Sequence, residues 1–575
     1  MRKSVMDGYR IWGAAGFLLV GLVAGASEAA PTPDKPETAV EAPFGAYLAG
    51  RHAQHMRDYQ SAVSWFEDAL RADPESPELI TRTFLMEASV GQFDRAQTLA
   101  ESELKLDSTD AMAELVLLLD RVSAGDKTGA MARADALPHE GVHRFVRPLA
   151  RAWTHMAVGD VAGADAALQE FDKFNGFAPL KFYQLGLLYD FAGDAGPAAD
   201  NFKQALDASG QLNWRLTDSL ANFYQRHGRD DEAQALYQRF VKDNAGSELA
   251  ESVLASRPTG VPPALIGSPE DGLAEALFDL ASVVNQPETL DLALLYARCA
   301  LRLRPHMVLA QLLLADVLSA QNKPELSLAI LDGVPQSSPY SWSARLRIAG
   351  NLELLDRTDD AIAQLRAMAA EEPTRAGADM QLGDLLRSKK RFAEAVDAYD
   401  EAIQRFGAAD MPERWSLYYS RGIALERSGQ WNRAEADLRR ALELKPEQPL
   451  VLNYLGYSWI DRGENLERGL EMIQKAVELR PEDGYIVDSL GWAHYRLGDY
   501  SSAVQYLEKA IELVPEDPTI NDHLGDAYWQ SGRPVEARYQ WKRALQFGPQ
   551  DDEIKPIQAK LDGGTVPAAA APRGG

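Results

Sequence analysis

Few side chains in this sequence stand at spacings that support bond-making chemistry. His52 and His55 lie three apart, a separation that on a helix lets two imidazoles share a metal. No further ligand accompanies them, and two histidines alone make a poor site. His139 and His143 fall in an expected loop and read the same way. The sole cysteine, Cys299, excludes an intramolecular disulfide and any multi-cysteine metal site. It stands beside Tyr296 and Ala300 on an expected helix, where a small buried core residue is favoured over a reactive thiol. The acidic pairs Asp359-Asp360 and Asp551-Asp552 sit at expected turns or helix starts and read as solvated caps, not as acid–base pairs. A His-Glu-x-x-His zinc motif, a Gly-x-x-x-x-Gly-Lys phosphate loop and a Gly-x-Ser-x-Gly elbow are absent. The expectation is a non-enzymatic chain with no cofactor and no metal.

Composition narrows the partner class. The 575 residues include 59 Lys and Arg against 85 Asp and Glu, for a formal net charge of -26. Nucleic-acid binding depends on neutralising phosphates, so a surface this acidic disfavours it, and it disfavours broad contact with anionic lipid. Neutral or basic protein partners remain. A hydrophobic content of 46% and a charged content of 25% are ordinary for a folded chain. The length exceeds what one compact core serves, so several domains or one extended array are expected.

The N-terminus reads as an address. Arg2, Lys3 and Arg10 precede an apolar run from Ile11 to Ala26, and Ser27-Glu28-Ala29 supplies a small-x-small cleavage pattern. The expectation is a secretory signal over 1–29, cut after Ala29, with export to the periplasm. An uncleaved segment anchored in the inner membrane is the alternative. No cysteine follows the apolar run, so no lipid anchor is expected. Residues 30–43 form a Pro-rich, flexible lead-in.

Periodicity must position everything else. Gly422, Gly456, Gly491 and Gly525 recur at nearly constant spacing, as do Ala441, Ala476, Ala510 and Ala544, and Pro446, Pro481, Pro515 and Pro549. The first glycine lets a neighbouring helix approach, the alanines line the crossing point, and the prolines end each second helix. Leu490-Gly491-Trp492-Ala493-His494, followed by Ala503, Leu507, Ala510 and Pro515, resembles the tetratricopeptide repeat (TPR). Leu524-Gly525-Asp526-Ala527-Tyr528, followed by Ala537, Trp541, Ala544 and Pro549, resembles it equally. The resemblance implies an all-α fold, a TPR α-solenoid of about a dozen stacked helix-turn-helix units, or two more with degenerate ones. The same frame runs back, with decay, to Gly50, Ala62, Phe66, Ala69 and Pro74.

The beat is broken between Ser256 and Glu270, which hold four prolines and two glycines. Two superhelical halves are therefore expected: a degenerate array over 44–250, a linker over 251–272, and an array with a capping helix over 273–561. The remainder, 562–575, reads as a disordered tail.

In a TPR array the first helices line the concave face. Carrying the frame across the last four units places Tyr419, Asn453, Tyr457, Tyr485, Asp488, Trp492, Tyr495, Arg496, Asp526 and Trp529 there. Large aromatics with a few polar groups suit peptide recognition. The competing reading is that some of these rings pack between repeats or against the capping helix.

A narrower resemblance lies in Asn453-Tyr-Leu-Gly-Tyr-Ser-Trp-Ile-Asp-Arg-Gly-Glu-Asn-Leu-Glu467 and in Asp488-Ser-Leu-Gly-Trp-Ala-His-Tyr-Arg-Leu-Gly498. These are similar to exported proteobacterial TPR proteins, among them outer-membrane lipoproteins that bind carboxyl-terminal processing proteases and deliver cell-wall hydrolases to them. The resemblance implies a scaffold or adaptor in the cell envelope, with a protease and its substrates among the candidate partners. The lipid-bearing cysteine of those lipoproteins is missing here. The alternatives are a structural component of an envelope assembly or polysaccharide-export machine, and an enzyme on a repeat scaffold.

Overall fold

The computed structural model describes residues 43–563, apart from 142, 211, 245–246, 248, 251–253, 255–259 and 408–411, together with 566. The expected signal, most of the lead-in and nearly all of the tail lie outside the described residues. Within them are twenty-nine α-helices and no strand, arranged as fourteen antiparallel pairs and a closing helix, Asp551–Leu561. No helix of the described residues is long and apolar enough to cross a membrane.

Local chemistry explains where helices begin. Asp58, Asp110, Asp126, Asp160, Asp483, Asp499 and Asp517 each precede a helix and accept a hydrogen bond from a backbone N–H of its first turn. Each such cap contributes about 1 kcal/mol. Part of the acidic composition is thus spent on helix starts. Pro77, Pro449, Pro518 and Pro534 open helices at positions where the missing N–H has no intrahelical partner to lose.

Pair packing follows the repeat. A methyl group at Gly491 would lie 2.6 Å from Leu507 Cγ, and one at Gly186 would lie 2.6 Å from a Phe202 ring carbon. The same first-helix position faces Tyr399 from Gly383 and Trp541 from Gly525. The large side chain of the second helix occupies the volume the glycine vacates, and Phe202, Leu507 and Trp541 are wholly buried.

Six pairs run from Pro43 to Asp243. The pair that follows the Pro-rich segment, Pro269–Val283 with Leu290–Leu303, does not simply continue the stack. It returns across the first helices Pro77–Val90, Ala111–Ser123, Val146–Ala157 and Ala178–Ala192. One continuous apolar core accordingly runs from Phe84 to Leu318. The expected boundary at 251–272 therefore does not divide the core. The helix Pro269–Val283 is apolar nearly all round, with Leu273, Ala274, Ala276, Leu277, Leu280 and Ala281 all buried, and such a helix must be enclosed. Seven further pairs from Val308 to Gln546 form the second array.

Candidate partner-binding groove

The two arrays differ in what fills their inner faces. In the first, the return hairpin is held by polar contacts as well as by its apolar faces. Glu275, fully buried, accepts two hydrogen bonds from Arg215, both 2.5 Å, and one of 3.2 Å from the Tyr183 hydroxyl. Gln184 donates to Asp279 at 2.6 Å while accepting from Trp153 Nε1 at 2.9 Å. Burial, with Glu275 close by, pushes the Asp279 carboxyl well above its ordinary range. Gly272 sits directly on the Trp153 ring, where any side chain would collide. Farther along, His143 Nδ1 meets the Tyr296 hydroxyl at 2.8 Å and Arg302 donates to Asp94 at 2.9 Å. Burial lowers the His143 pKa. Cys299 is buried in this hairpin, and burial pushes its thiol up to about 12. Such a thiol is protonated and unreactive.

In the second array, among the described residues, no helix lies across the first helices in this way. The superhelix does bring Lys390 Nζ within 2.8 Å of Gln550 Oε1 at the mouth of the closing helix. Tyr419, Asn453, Tyr457, Trp492 and Trp529 are half-buried along the inner row, and Tyr485 stands out from the rim at 58% exposure. Tyr419 meets Tyr454 edge to face at 6.0 Å. Trp492 is stacked between Tyr495, at 4.7 Å, and His523, at 4.0 Å.

Three of the ten expected groove residues are closed to a partner. Tyr495 is 0% exposed, wedged between Trp492 and Tyr500 at the seam of two repeats. Asp526 is 1% exposed; it accepts from Trp541 Nε1 at 3.0 Å and from Lys560 of the closing helix at 2.7 Å. Asp488 is buried and engages His523 at 2.9 Å. Arg496 lies in the groove but is committed to Asp461, through an ion pair and a 2.9 Å hydrogen bond to its backbone oxygen. It is not a free cation waiting for a partner's carboxylate.

The electrostatics run the other way. Glu426 accepts a 3.0 Å hydrogen bond from Tyr454 and forms no ion pair among the described residues. Tyr457 is held above its ordinary pKa by burial first, then by Asp461 and Asp488, with Glu426 adding to them and Arg496 opposing. His523 is raised as well: burial alone would lower it, but the carboxylates of Asp488, Asp522 and Asp526 outweigh burial. Two polar atoms in this row, Asn453 Oδ1 and Trp492 Nε1, are buried without a hydrogen-bond partner. Glu426, Asp461, Tyr454 and His523 were not among the expected site residues. The repeat frame could have found Glu426, which holds the register of Tyr495 and Trp529 one helix turn past the glycine. No group of three or more metal-ligating side chains converges among the described residues.

Comparison with known proteins agrees with this geometry. Residues 355–410 and 489–552 match one tetratricopeptide-repeat family model, and 415–448 match another. Those stretches thus carry tetratricopeptide repeats, and the helix pairs stack as an α-solenoid, a fold suited to protein–protein interaction. The chain is 29% identical over 167 residues to a TPR repeat-containing protein of Pseudomonas aeruginosa, covering 28% of this chain and 27% of that protein. It therefore spans little more than a quarter of that relative's length. Among solved structures it is similar to the Cut9-Hcn1 hetero-tetramer of APC/C, at 14% identity, 91% coverage of this chain, 96% of that chain and a TM-score of 0.38. It is also similar to a tetratricopeptide repeat protein from Parabacteroides merdae, at 14% identity, 43% and 94% coverage and a TM-score of 0.36.

Proposed function

We propose that this chain is a non-enzymatic scaffold of the bacterial cell envelope that holds segments of partner proteins in the inner face of its second array. The observation that carries this reading is the contrast between the two grooves. The first is filled by the chain's own hairpin through Glu275 and Asp279, whereas the second keeps a row of half-buried rings and two unpartnered polar atoms. Half-exposed aromatic rings on rigid helices bury much area on binding at little entropic cost, which favours recognition over catalysis. The envelope location rests on the basic, apolar and small-residue succession of the first 29 residues, and export through the periplasm follows from it. A protease and its substrates are the finer partner assignment, which rests on the resemblance of 453–467 and 488–498 to exported adaptors.

A photo-crosslinking residue at Tyr457, compared with one at the exposed Lys509 on an outer helix, tests the groove assignment in envelope extract. Discrete cross-linked partners are expected from position 457 and not from 509. Cross-links at 509 alone would move the binding surface to the convex side.

A further inference from the structure

The convex side of the last repeat departs from its two predecessors. Their second helices share one register, fixed by Ala476, Ala510 and Ala544 at constant spacing. Where the last of them carries Val535, Tyr539 and Lys542, the repeat before carries Ser501, Gln505 and Glu508. The one before that carries Glu467, Glu471 and Gln474. All nine side chains are exposed. On a stripe where its neighbours are polar or acidic, the helix Pro534–Gln546 therefore presents a valine 77% exposed and a tyrosine 61% exposed. One exposed apolar side chain is ordinary, but two at i and i+4 stand in line and form a ridge.

The charge along this ridge is also reversed. Arg538 and Lys542 stand exposed beside it and form no ion pair among the described residues. The Arg543 guanidinium is centred 6.0 Å from the Tyr539 ring. The one carboxylate of the helix, Glu536, is taken by Arg533 at 3.0 Å. The result is a local cationic and apolar stripe on a chain of net charge -26. It is not an end left bare where the repeats stop. The closing helix Asp551–Leu561 covers that end, burying Ile557 and bringing Lys560 to Asp522 and Asp526, and it leaves Val535 and Tyr539 outside.

We propose that this stripe is a second docking surface, distinct from the groove, for an acidic amphipathic helix of a partner protein. The i, i+4 row of Val535 and Tyr539 fits between the side-chain rows of such a helix, and carboxylates flanking its apolar row meet Arg538 and Lys542. Width favours one helix over an anionic bilayer. Glu508 of the neighbouring second helix pairs with Arg533 at 3.3 Å, Glu512 is exposed one turn on, and Asp551 and Asp552 open the closing helix. A flat anionic surface would be pressed against these carboxylates too. A single helix, about 10 Å across, covers the stripe alone.

The test uses the purified full chain and fluorescent helical peptides of about five turns, long enough to cross the stripe. Each carries leucine at i and i+4, flanked by glutamate, glutamine or lysine in three matched sets. Anisotropy should show the glutamate set binding about tenfold tighter than the glutamine set, with the gap closing as salt rises and the lysine set weakest. The double variant Tyr539→Gln/Lys542→Glu rebuilds on this helix the Gln505 and Glu508 of the repeat before it. It should keep its circular dichroism and melting temperature and lose the preference for glutamate. Equal affinity for the three sets, no binding at about 1 mM peptide, or a glutamate preference that survives the double variant overturns the proposal. Vesicles of phosphatidylglycerol and phosphatidylcholine are run in parallel, and co-sedimentation abolished by the double variant would give the stripe to a membrane instead. A photo-crosslinking residue at position 539 of the chain alone checks the remaining occupants. A covalent dimer, or an internal link to residues beyond 561, would name a second copy or the chain's own tail and overturn the assignment.

Discussion

Arg215 donates two hydrogen bonds to Glu275 across sixty residues of sequence, pinning the return hairpin to the last pair of the first array. Glu275 is fully buried, so its charge is compensated almost wholly by that guanidinium and by Tyr183. Removing one partner of such a pair leaves the other charged and buried, a loss of about 3 kcal/mol or more. Arg215→Ala and Glu275→Ala should each cost that much in denaturant unfolding of the first array. The double variant Arg215→Met/Glu275→Leu should recover most of it, since apolar replacement of both members restores satisfied packing. Single losses below about 1 kcal/mol would mean the pair is solvated in solution.

The same hairpin changes what a protease should release. Cleavage is expected in the Pro- and Gly-rich stretch from Ser256 to Glu270. Yet Gly272 lies against Trp153, and the core continues through Leu318, so the two products should stay together. A nicked sample should elute from gel filtration at the intact volume and separate only in denaturant. Early release of a free fragment ending near residue 255 would mean the hairpin does not dock.

How much of this was legible in the sequence depends on where the signal lives. Gly491 facing Leu507, and Gly525 facing Trp541, are spacing rules within one repeat, so the helix pairs and the solenoid could be read directly. The return of the hairpin could not, because it depends on contacts such as Tyr59 to Asp291, which lie 232 residues apart. A trace was present: Glu275 and Asp279 lie four apart, and every other residue from Gly272 to Ala281 is glycine or apolar, which signals polar partners inside an enclosure. The groove was half legible. First-helix register located Tyr457, Trp492 and Tyr485, but register alone could not reveal that Lys560 of the closing helix takes Asp526, or that the seam between repeats swallows Tyr495.

Acidity offers a check at the other end of the chain. Glu87, 3% exposed, is pushed up to about 7 by burial first and by the neighbouring Glu67 second, with Arg95 opposing. A carboxyl whose folded pKa lies above its unfolded one is bound to its proton more tightly in the native state. Its contribution is therefore full below about 4.5, declines as pH rises through about 7, and is flat above that. Glu87→Gln should abolish this slope, so variant and parent diverge in melting temperature between pH 5 and 8, with the variant the more stable at the alkaline end. Parallel melting curves across that range would place Glu87 in a solvated setting.

The last prediction separates packing from recognition inside a single repeat. At Gly491 even a methyl group would come within 2.6 Å of Leu507 Cγ and 3.1 Å of its backbone nitrogen, so there is no flexible atom to move aside. Gly491→Leu should wedge the helix pair apart and lower the stability of the second array by about 3 kcal/mol, the upper range for overpacking. Trp492, one residue on, is half-buried in a stack with His523 and Tyr495. Trp492→Ala gives up two ring contacts and part of a large apolar surface, so it should cost about 2 kcal/mol and also weaken peptide capture. Tyr485 makes the third comparison, because at 58% exposure its ring supports little of the fold. Tyr485→Ala should leave unfolding unchanged within about 0.5 kcal/mol, as exposed surface substitutions do. It should still reduce capture of long peptides that reach the rim. Thermal unfolding and peptide affinity measured on the three variants give two orderings, which must differ if the groove binds. Should capture fall strictly in proportion to lost stability, with Tyr485→Ala silent in both, the rings serve the fold alone.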